Sequence, residues 1–385
     1  MIHEKDGNVD YLIKSLWVIT LFYFIEYPIL HNFQINTIVW ELGIIVTVII
    51  TLRFMRFMDK GYVFPVLLLL CDILCGAILS GIILDVNKIF AMVAFMNALM
   101  FVLYSPEIRI SRRAFDYIYY VSVILLLIFL VYSFTNLAHK VETDGLIWYC
   151  DYFVFNLDNS NTAAMYLYGL MGIILINYKT RSNKLFNIFL IGISIYLIIG
   201  TKTRTCLFAA VVAVILYFWF KNRKIPKIIV FGVYLFPIIF VGIYLWLYGS
   251  GMENFIIGEK TFFSGRQNVY TSYLANIQTG SQILFGNIGE VTFTNAHNGP
   301  LAIFCSTGLV GVLVFYYIHL RTVFRALNEH KLNSVNIISI CCILGIIIQT
   351  SAEAGMLLGG FPGISFLSTY FVLAFYKEED NHEYD

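Results

Sequence analysis

Charge is what this sequence has least of. Only 13% of its 385 residues are Asp, Glu, Lys or Arg, while 59% are hydrophobic; a soluble domain carries about 25% charge. An ordinary soluble domain is therefore excluded, and the deficit shows as runs such as "PVLLLLCDILCGAILSGIIL" (65–84) and "IIVFGVYLFPIIFVGIYLWLY" (228–248). Internal repeats and low-complexity tracts are also lacking. So is a cleavable signal peptide: the first apolar run has neither a basic head nor a small-residue cleavage site, and reads as a retained span. Of the seven cysteines, six (71, 75, 206, 305, 341 and 342) fall in or at the ends of apolar runs, where thiols pack as small hydrophobes. Cys150 alone lies outside. No paired ligand spacing occurs, so no disulfide framework and no zinc site are expected; nor is a nucleic-acid partner.

What the chain has instead is apolar residues about twenty at a time, enough to cross a hydrocarbon layer. Backbone groups in lipid must pair within their own segment, so these runs are expected to be helices. The pattern predicts an all-α polytopic membrane helix bundle of about twelve spans, one integral membrane domain over 1–385. The spans fall near 15–31, 36–52, 62–84, 89–105, 115–135, 161–177, 185–200, 205–220, 228–248, 299–319, 334–356 and 363–376. The long connection 249–298 is expected outside the membrane, with short helices. Within it, Tyr270, Tyr273, Leu274 and Ile277 recur at helical spacing. A second connection, 136–160, contains "DGLIWYCDYFVF", whose aromatics suit an interfacial segment.

Lys and Arg favour cytoplasmic loops. The alternate loops 53–61, 106–114, 178–184, 221–227 and 321–333 hold sixteen of the 25 basic residues, and the terminal segments add Lys5, Lys14 and Lys377. The opposite loops hold only Lys88, Lys140, Lys202, Arg204, Lys260 and Arg266. Both termini are thus expected in the cytoplasm, and the six remaining cations on the outer face.

Four of those six lie in two segments, the turn 200–205 and the connection 249–298, and the second leads into a distinctive motif. In "NAHNGPLAIFCSTGLVG" (295–311), Pro300 suits a first helical turn and Asn298 or Gly299 suits the cap. His297 is then expected just outside the helix start, at the outer membrane surface, beside N–H groups that favour anions. Gly308 would fall three turns below on the same face and, with Gly311, leave a groove for a helix or a lipid chain. "TKTRT" (201–205) presents Lys202 and Arg204, and "FFSGRQ" (262–267) places Arg266 after Ser264 and a turn-forming Gly265. Arginine grips phosphate in a bidentate fork. Two arginines, a lysine and a helix N-terminus neutralise a multiply charged anion such as a lipid diphosphate. His297 adds an acid/base group near neutral pH, and general base help is worth about 100- to 10,000-fold. The plainer alternative is a capping His–Asn pair on a helix with packing glycines.

In that combination and order, "HN-x9-GLVG" (297–311), "SGR" (264–266), "TKTR" (201–204) and "NLDNSNTAAMYLYG" (156–169) resemble the O-antigen ligase/polymerase superfamily. Its members include lipopolysaccharide O-antigen ligases, Wzy-type polysaccharide polymerases and some protein O-oligosaccharyltransferases. The resemblance covers roughly 150–320. It implies a multi-span inverting glycosyltransferase of the bacterial cytoplasmic membrane, active on the outer face without cofactor, nucleotide or metal. Its partners would be a polyprenyl-diphosphate-linked glycan donor, a glycan acceptor and membrane lipids, with a chain-length regulator and a flippase alongside. By position, His297 would be the base or acceptor-positioning residue, Arg204 and Arg266 would hold the diphosphate, and Asn298 would orient the histidine or a sugar. Asn161 matches the family's asparagine at the start of the sixth span. Lys202 departs from the small hydroxyl residues the family often shows there.

Further substrate contacts are expected from Ser264, from Tyr270 by stacking on a sugar ring, and from Glu353 near the end of the eleventh span, an acid costly enough in a membrane to suggest function. Glu290 and Asn295 have only proximity to His297 in their favour. Asp72, mid-span in "LLLLCDIL", is expected to make a structural interhelical hydrogen bond. Three functions compete: a polymerase of lipid-linked repeat units, a ligase moving finished glycan to a lipid, wall or protein acceptor, and a lipid-linked glycan transporter. No cytoplasmic D-x-D motif marks a nucleotide-sugar site. Transport would favour cations at mid-membrane and inverted repeats.

Overall fold

The computed structural model describes the chain apart from residues 1–5, 31–32, 56–58, 80–85, 145–147, 158, 182, 222, 253–255, 258–259, 262–264, 292, 294–295, 330–331 and 378–385. It is about 79% helical. In chain order the described helices are α1 (Asp6–Ile25), continued by a π-helical turn at Glu26–Leu30, α2 (Phe33–Phe54), α3 (Lys60–Leu79), α4 (Val86–Tyr104), α5 (Arg112–Tyr132), α6 (Ser160–Thr180), α7 (Lys184–Gly200), α8 (Arg204–Phe220) and α9 (Lys227–Gly249). Two short helices follow, α10 (Arg266–Ala275) and α11 (Gly280–Phe285), then α12 (Gly299–Leu327), α13 (Ser334–Gln349) and α14 (Gly363–Leu373).

Each of the twelve apolar runs holds a helix. Among the described residues seven helices, α1 with its π-helical end, α2, α3, α4, α5, α9 and α12, are long and apolar enough to cross a membrane. Helices α7, α8, α13 and α14 are apolar but have only 17, 17, 16 and 11 residues; the last rises about 16 Å. The membrane-facing character is plain on α2, where Ile38, Leu42, Ile45, Ile49 and Leu52 are exposed at three- and four-residue spacing while Thr47 and Thr51 are buried. Apolar outside and polar inside is the arrangement that hydrocarbon, not water, selects. The inward hydroxyls and amides bond between helices: Thr51 Oγ1 donates to Asn97 Oδ1 (2.7 Å), Trp17 Nε1 to Thr369 Oγ1 (3.1 Å) and Thr20 Oγ1 to Ser365 Oγ (2.9 Å). Asp72 does not follow suit. Both its carboxyl oxygens are buried without a hydrogen-bond partner among the described residues, so the expected interhelical bond is absent there.

One end of the bundle is held by ion pairs, Arg321–Asp59 at 3.1 Å, Arg325–Glu107 at 2.8 Å and Arg181–Asp116 at 2.6 Å. They join four of the loops in which the basic residues are concentrated, and a pocket lined by Asp59, Tyr317, Arg321, Arg325 and Glu329 opens beside them. The opposite end carries His297 and the 249–298 connection.

The all-α expectation needs one amendment. Within 136–160, β1 (His139–Asp144) and β2 (Trp148–Phe153) pair antiparallel, with His139 opposite Phe153 and Lys140 opposite Tyr152. The aromatic run that suggested an interfacial segment favours a strand for the same reason, its bulky rings. A second ribbon pairs β3 (Ile256–Ile257) with β4 (Lys260–Thr261).

Two helices depart from the expected straight spans. The backbone of α12 leaves helical geometry at Gly308 (φ 60°, ψ −161°). A Cβ there would collide with the backbone carbonyl of Leu284, and the contact is mutual, since a Cβ on Gly286 would strike Ser306. The groove foreseen for a helix or lipid chain is thus filled by the end of α11. Carbonyls freed by the break find donors: Asn287 N–H bonds Cys305 O at 2.8 Å. The two pieces of α12 are not collinear. Asn298 Nδ2 donates to Pro237 O on α9 at 3.0 Å, whereas the His319 ring meets Tyr234, less than one turn away on the same helix. A straight helix would separate residues 298 and 319 by about 31 Å. Helix α13, expected to run to 356, ends at Gln349; residues 350–362 make turns that are almost wholly buried. Irregular backbone at such depth is tolerated when protein encloses it.

Candidate functional site

The site is assembled where five helix ends meet. Asn298 caps α12, its Oδ1 accepting from Leu301 N–H at 2.9 Å. Its Nδ2 donates to Pro237 O and to Ser351 O (3.0 and 3.3 Å). Gly299 N–H bonds Thr350 O at 2.8 Å. The start of α12 is thereby sewn to the turn after α13. The fully buried Asn298 amide is committed to backbone groups and holds the segment that carries His297. Pro237 is the eleventh residue of α9, and the twelve that follow rise about 18 Å. His297 therefore lies well short of the end of α9, level with the middle of that helix.

His297 itself adopts φ 51°, a left-handed conformation uncommon for residues other than glycine. Such strain survives where the surroundings over-determine it. Here the Tyr270 hydroxyl lies 3.2 Å from His297 O and 3.1 Å from Ser351 O, sharing its single proton between them. Tyr270 is fully buried, edge-on to Tyr244 with ring centroids 5.4 Å apart. The expected stacking of Tyr270 on a sugar is thus replaced by a packing role, because no face of the ring is open. Burial pushes its phenol well above the usual range, while the Arg266 charge pulls the other way.

His297 Nδ1 stands 3.4 Å from Glu353 Oε2; the side chains are 30% and 3% exposed. Oε1 of Glu353 accepts from Ala354 N–H at 3.3 Å. The acid singled out within an apolar run is therefore the neighbour of the histidine, a pairing across 56 residues that sequence spacing could not reveal.

The two arginines converge on the same region. Arg204 is the first residue of α8 and Arg266 the first of α10, which follows Gly265 in the left-handed conformation (φ 77°). Their like charges act on one another, and both act on Tyr244. Thr203, beside Arg204, donates to Ser160 O (3.2 Å) and Asn161 Oδ1 (3.3 Å), which brings Asn161 and the start of α6 to the start of α8. Lys202 is exposed, with φ 54°. Ser264 and Asn295 lie outside the described residues; Glu290 is exposed. Lys88 Nζ donates to Gly289 O at 2.7 Å, so that cation is spent on anchoring the loop.

No motif in the sequence singles out Tyr244, Gln349 or Ser351. Both amide atoms of Gln349 and the Ser351 hydroxyl are buried with no hydrogen-bond partner among the described residues, and they flank Glu353 on one turn. Polar residues closing an otherwise apolar run were the available signal. The arrangement offers two cations for a bound anion, a partly exposed imidazole and a buried carboxylate behind it. Compared with known proteins, the chain matches no family model and no curated protein.

Proposed function

We propose that the protein is a membrane glycosyltransferase that polymerises, or transfers en bloc, polyprenyl-diphosphate-linked oligosaccharide units on the outer face of a bacterial cytoplasmic membrane, with both termini in the cytoplasm. The observation that carries this reading is the meeting of Arg204 and Arg266 with the His297–Glu353 pair, tied together through Tyr270 and Tyr244. The motif likeness to the O-antigen ligase/polymerase superfamily points the same way.

In the reaction, an acceptor hydroxyl attacks the anomeric carbon of the donor. The new C–O bond forms as the bond to the diphosphate oxygen breaks, with inversion. His297 takes the hydroxyl proton. Arg204 and Arg266 stabilise the departing diphosphate, a task suited to fixed charges in a water-poor site. Lys202, Asn161 and Ser264 contact donor or glycan. No cofactor or metal enters this scheme. A chain-length regulator and a flippase are the proteins expected to work beside it.

The test is a gel of glycan lipids from cells carrying His297→Ala or Arg266→Ala. A polymerase leaves lipid-linked single units to accumulate; a ligase leaves long lipid-linked chains unattached. Normal polymer in both variants overturns the reading, and loss of lipid-linked units from the outer face would favour transport.

A further inference from the structure

We propose that Glu353 is a positioning residue that holds the His297 imidazole with its proton on Nδ1, leaving Nε2 as the face that does chemistry. Its catalytic consequence rests on the function proposed above; the pairing itself does not.

Three observations carry it. First, Nδ1 is the nitrogen turned to Glu353 Oε2, 3.4 Å away. Second, Nδ1 has no exposed surface, although the side chain as a whole is 30% exposed. The exposed part of the side chain therefore does not include Nδ1. Third, both partners are fixed by the same stitches. Tyr270 bonds the carbonyls of His297 and Ser351, Asn298 bonds Ser351 O, and Gly299 bonds Thr350 O. Residues 297–299 and 350–353 are thus tied into one unit, within which His297 keeps its left-handed φ.

The physics follows from the neighbouring charges. When the imidazole accepts a proton it becomes a third cation near Arg204 and Arg266, a repulsive arrangement. A carboxylate behind the ring offsets that charge, and in the neutral ring it selects the tautomer whose lone pair is on Nε2. A carboxylate placed behind an imidazole in this way fixes tautomer and orientation without itself taking the proton. The sequence reading gave Glu353 a substrate contact; the geometry assigns it to the histidine instead.

The experiment has two arms on the full-length protein in lipid nanodiscs. In the first, ring-15N histidine spectra are compared for wild type and Glu353→Gln, with the His297 signals identified by their loss in His297→Asn. A single Nδ1–H tautomer in wild type that becomes mixed in Glu353→Gln supports the proposal; an unchanged tautomer overturns it. In the second, turnover of a polyprenyl-diphosphate-linked oligosaccharide is measured. Glu353→Gln is expected to lower kcat about 100-fold with KM within about threefold, and Glu353→Asp to recover part of the loss. In a His297→Ala background, Glu353→Gln is expected to cost nothing further. An equal loss in both backgrounds, or an effect confined to KM, overturns the positioning role. If the wild type shows the tautomer response yet turns over no lipid-linked glycan, the pair stands and the proposed function falls.

Discussion

The hydroxyl of Tyr270 donates to the backbone carbonyl of His297 across 3.2 Å. A helix in the 249–298 connection thereby fixes the main chain of the residue proposed to act as base. Tyr270→Phe removes this bond and the one to Ser351 O while keeping the ring against Tyr244. The expected stability loss is about 1 kcal/mol, with activity down roughly tenfold from a loosened His297. Thermal unfolding and polymer yield check the two together. Unchanged activity would show that the His297 main chain needs no such restraint.

Arg204 and Arg266 carry like charges that act on one another, and in the proposed function both grip the donor diphosphate. Arg204→Ala and Arg266→Ala are each expected to weaken binding of polyprenyl diphosphate about tenfold to 100-fold, the range for a charge-assisted hydrogen bond. Thermal stability without ligand should stay level or rise. A titration with the diphosphate, set beside one with the monophosphate, checks this; equal weakening for both ligands would argue against a shared diphosphate grip.

Gly308→Ala places a Cβ against the Leu284 carbonyl at φ 60°. Positive φ and backbone collision together should destabilise by at least about 2 kcal/mol. The measurement is the melting temperature in detergent, compared with Gly242→Ala, where nothing lies within 4 Å. Equal losses at the two positions would mean that the break in α12 is not required.

His139 joins the β1–β2 hairpin to the end of α5. Its Nδ1 lies 2.8 Å from Asp151 Oδ1 and its Nε2 3.0 Å from Ser133 O. Two acceptors satisfy both nitrogens only when both carry protons, and the Asp151 hydrogen bond raises the imidazole above its ordinary value. The folded value is raised, so the stabilisation is full below the unfolded value of about 6.5 and fades as pH rises through the folded one. Amide exchange in the hairpin, corrected for its intrinsic rise with pH, should quicken as pH climbs above about 6.5, and Asp151→Asn should flatten that dependence.

The helices were legible because twenty apolar residues in a row leave the backbone one way to satisfy itself. The N-cap at Asn298, the opening of α8 at Arg204 and the turn at Gly265 were legible for a similarly local reason, the residue types side by side there. What was not legible depends on partners distant in the chain. Gly308 resembled a packing glycine until Leu284 came against it. Tyr270 resembled an outer-face aromatic until Tyr244 covered it. Glu353 was visible as an anomaly, but its partner was visible only in three dimensions. The hairpin at 139–153 was missed because a run of aromatics serves an interface and a strand equally well.

The break at Gly308 makes α12 a bracket rather than a rod. Its long arm stands against α9 through His319 and Tyr234, and its short arm, residues 299–307, hangs from the α11 corner and delivers the imidazole into the bundle. The angular setting of that arm is thus a matter of residue count. One amino acid inserted between Gly299 and Gly308 would swing His297 by about 100°, away from Glu353, while every apolar run in the chain stayed the same length or longer.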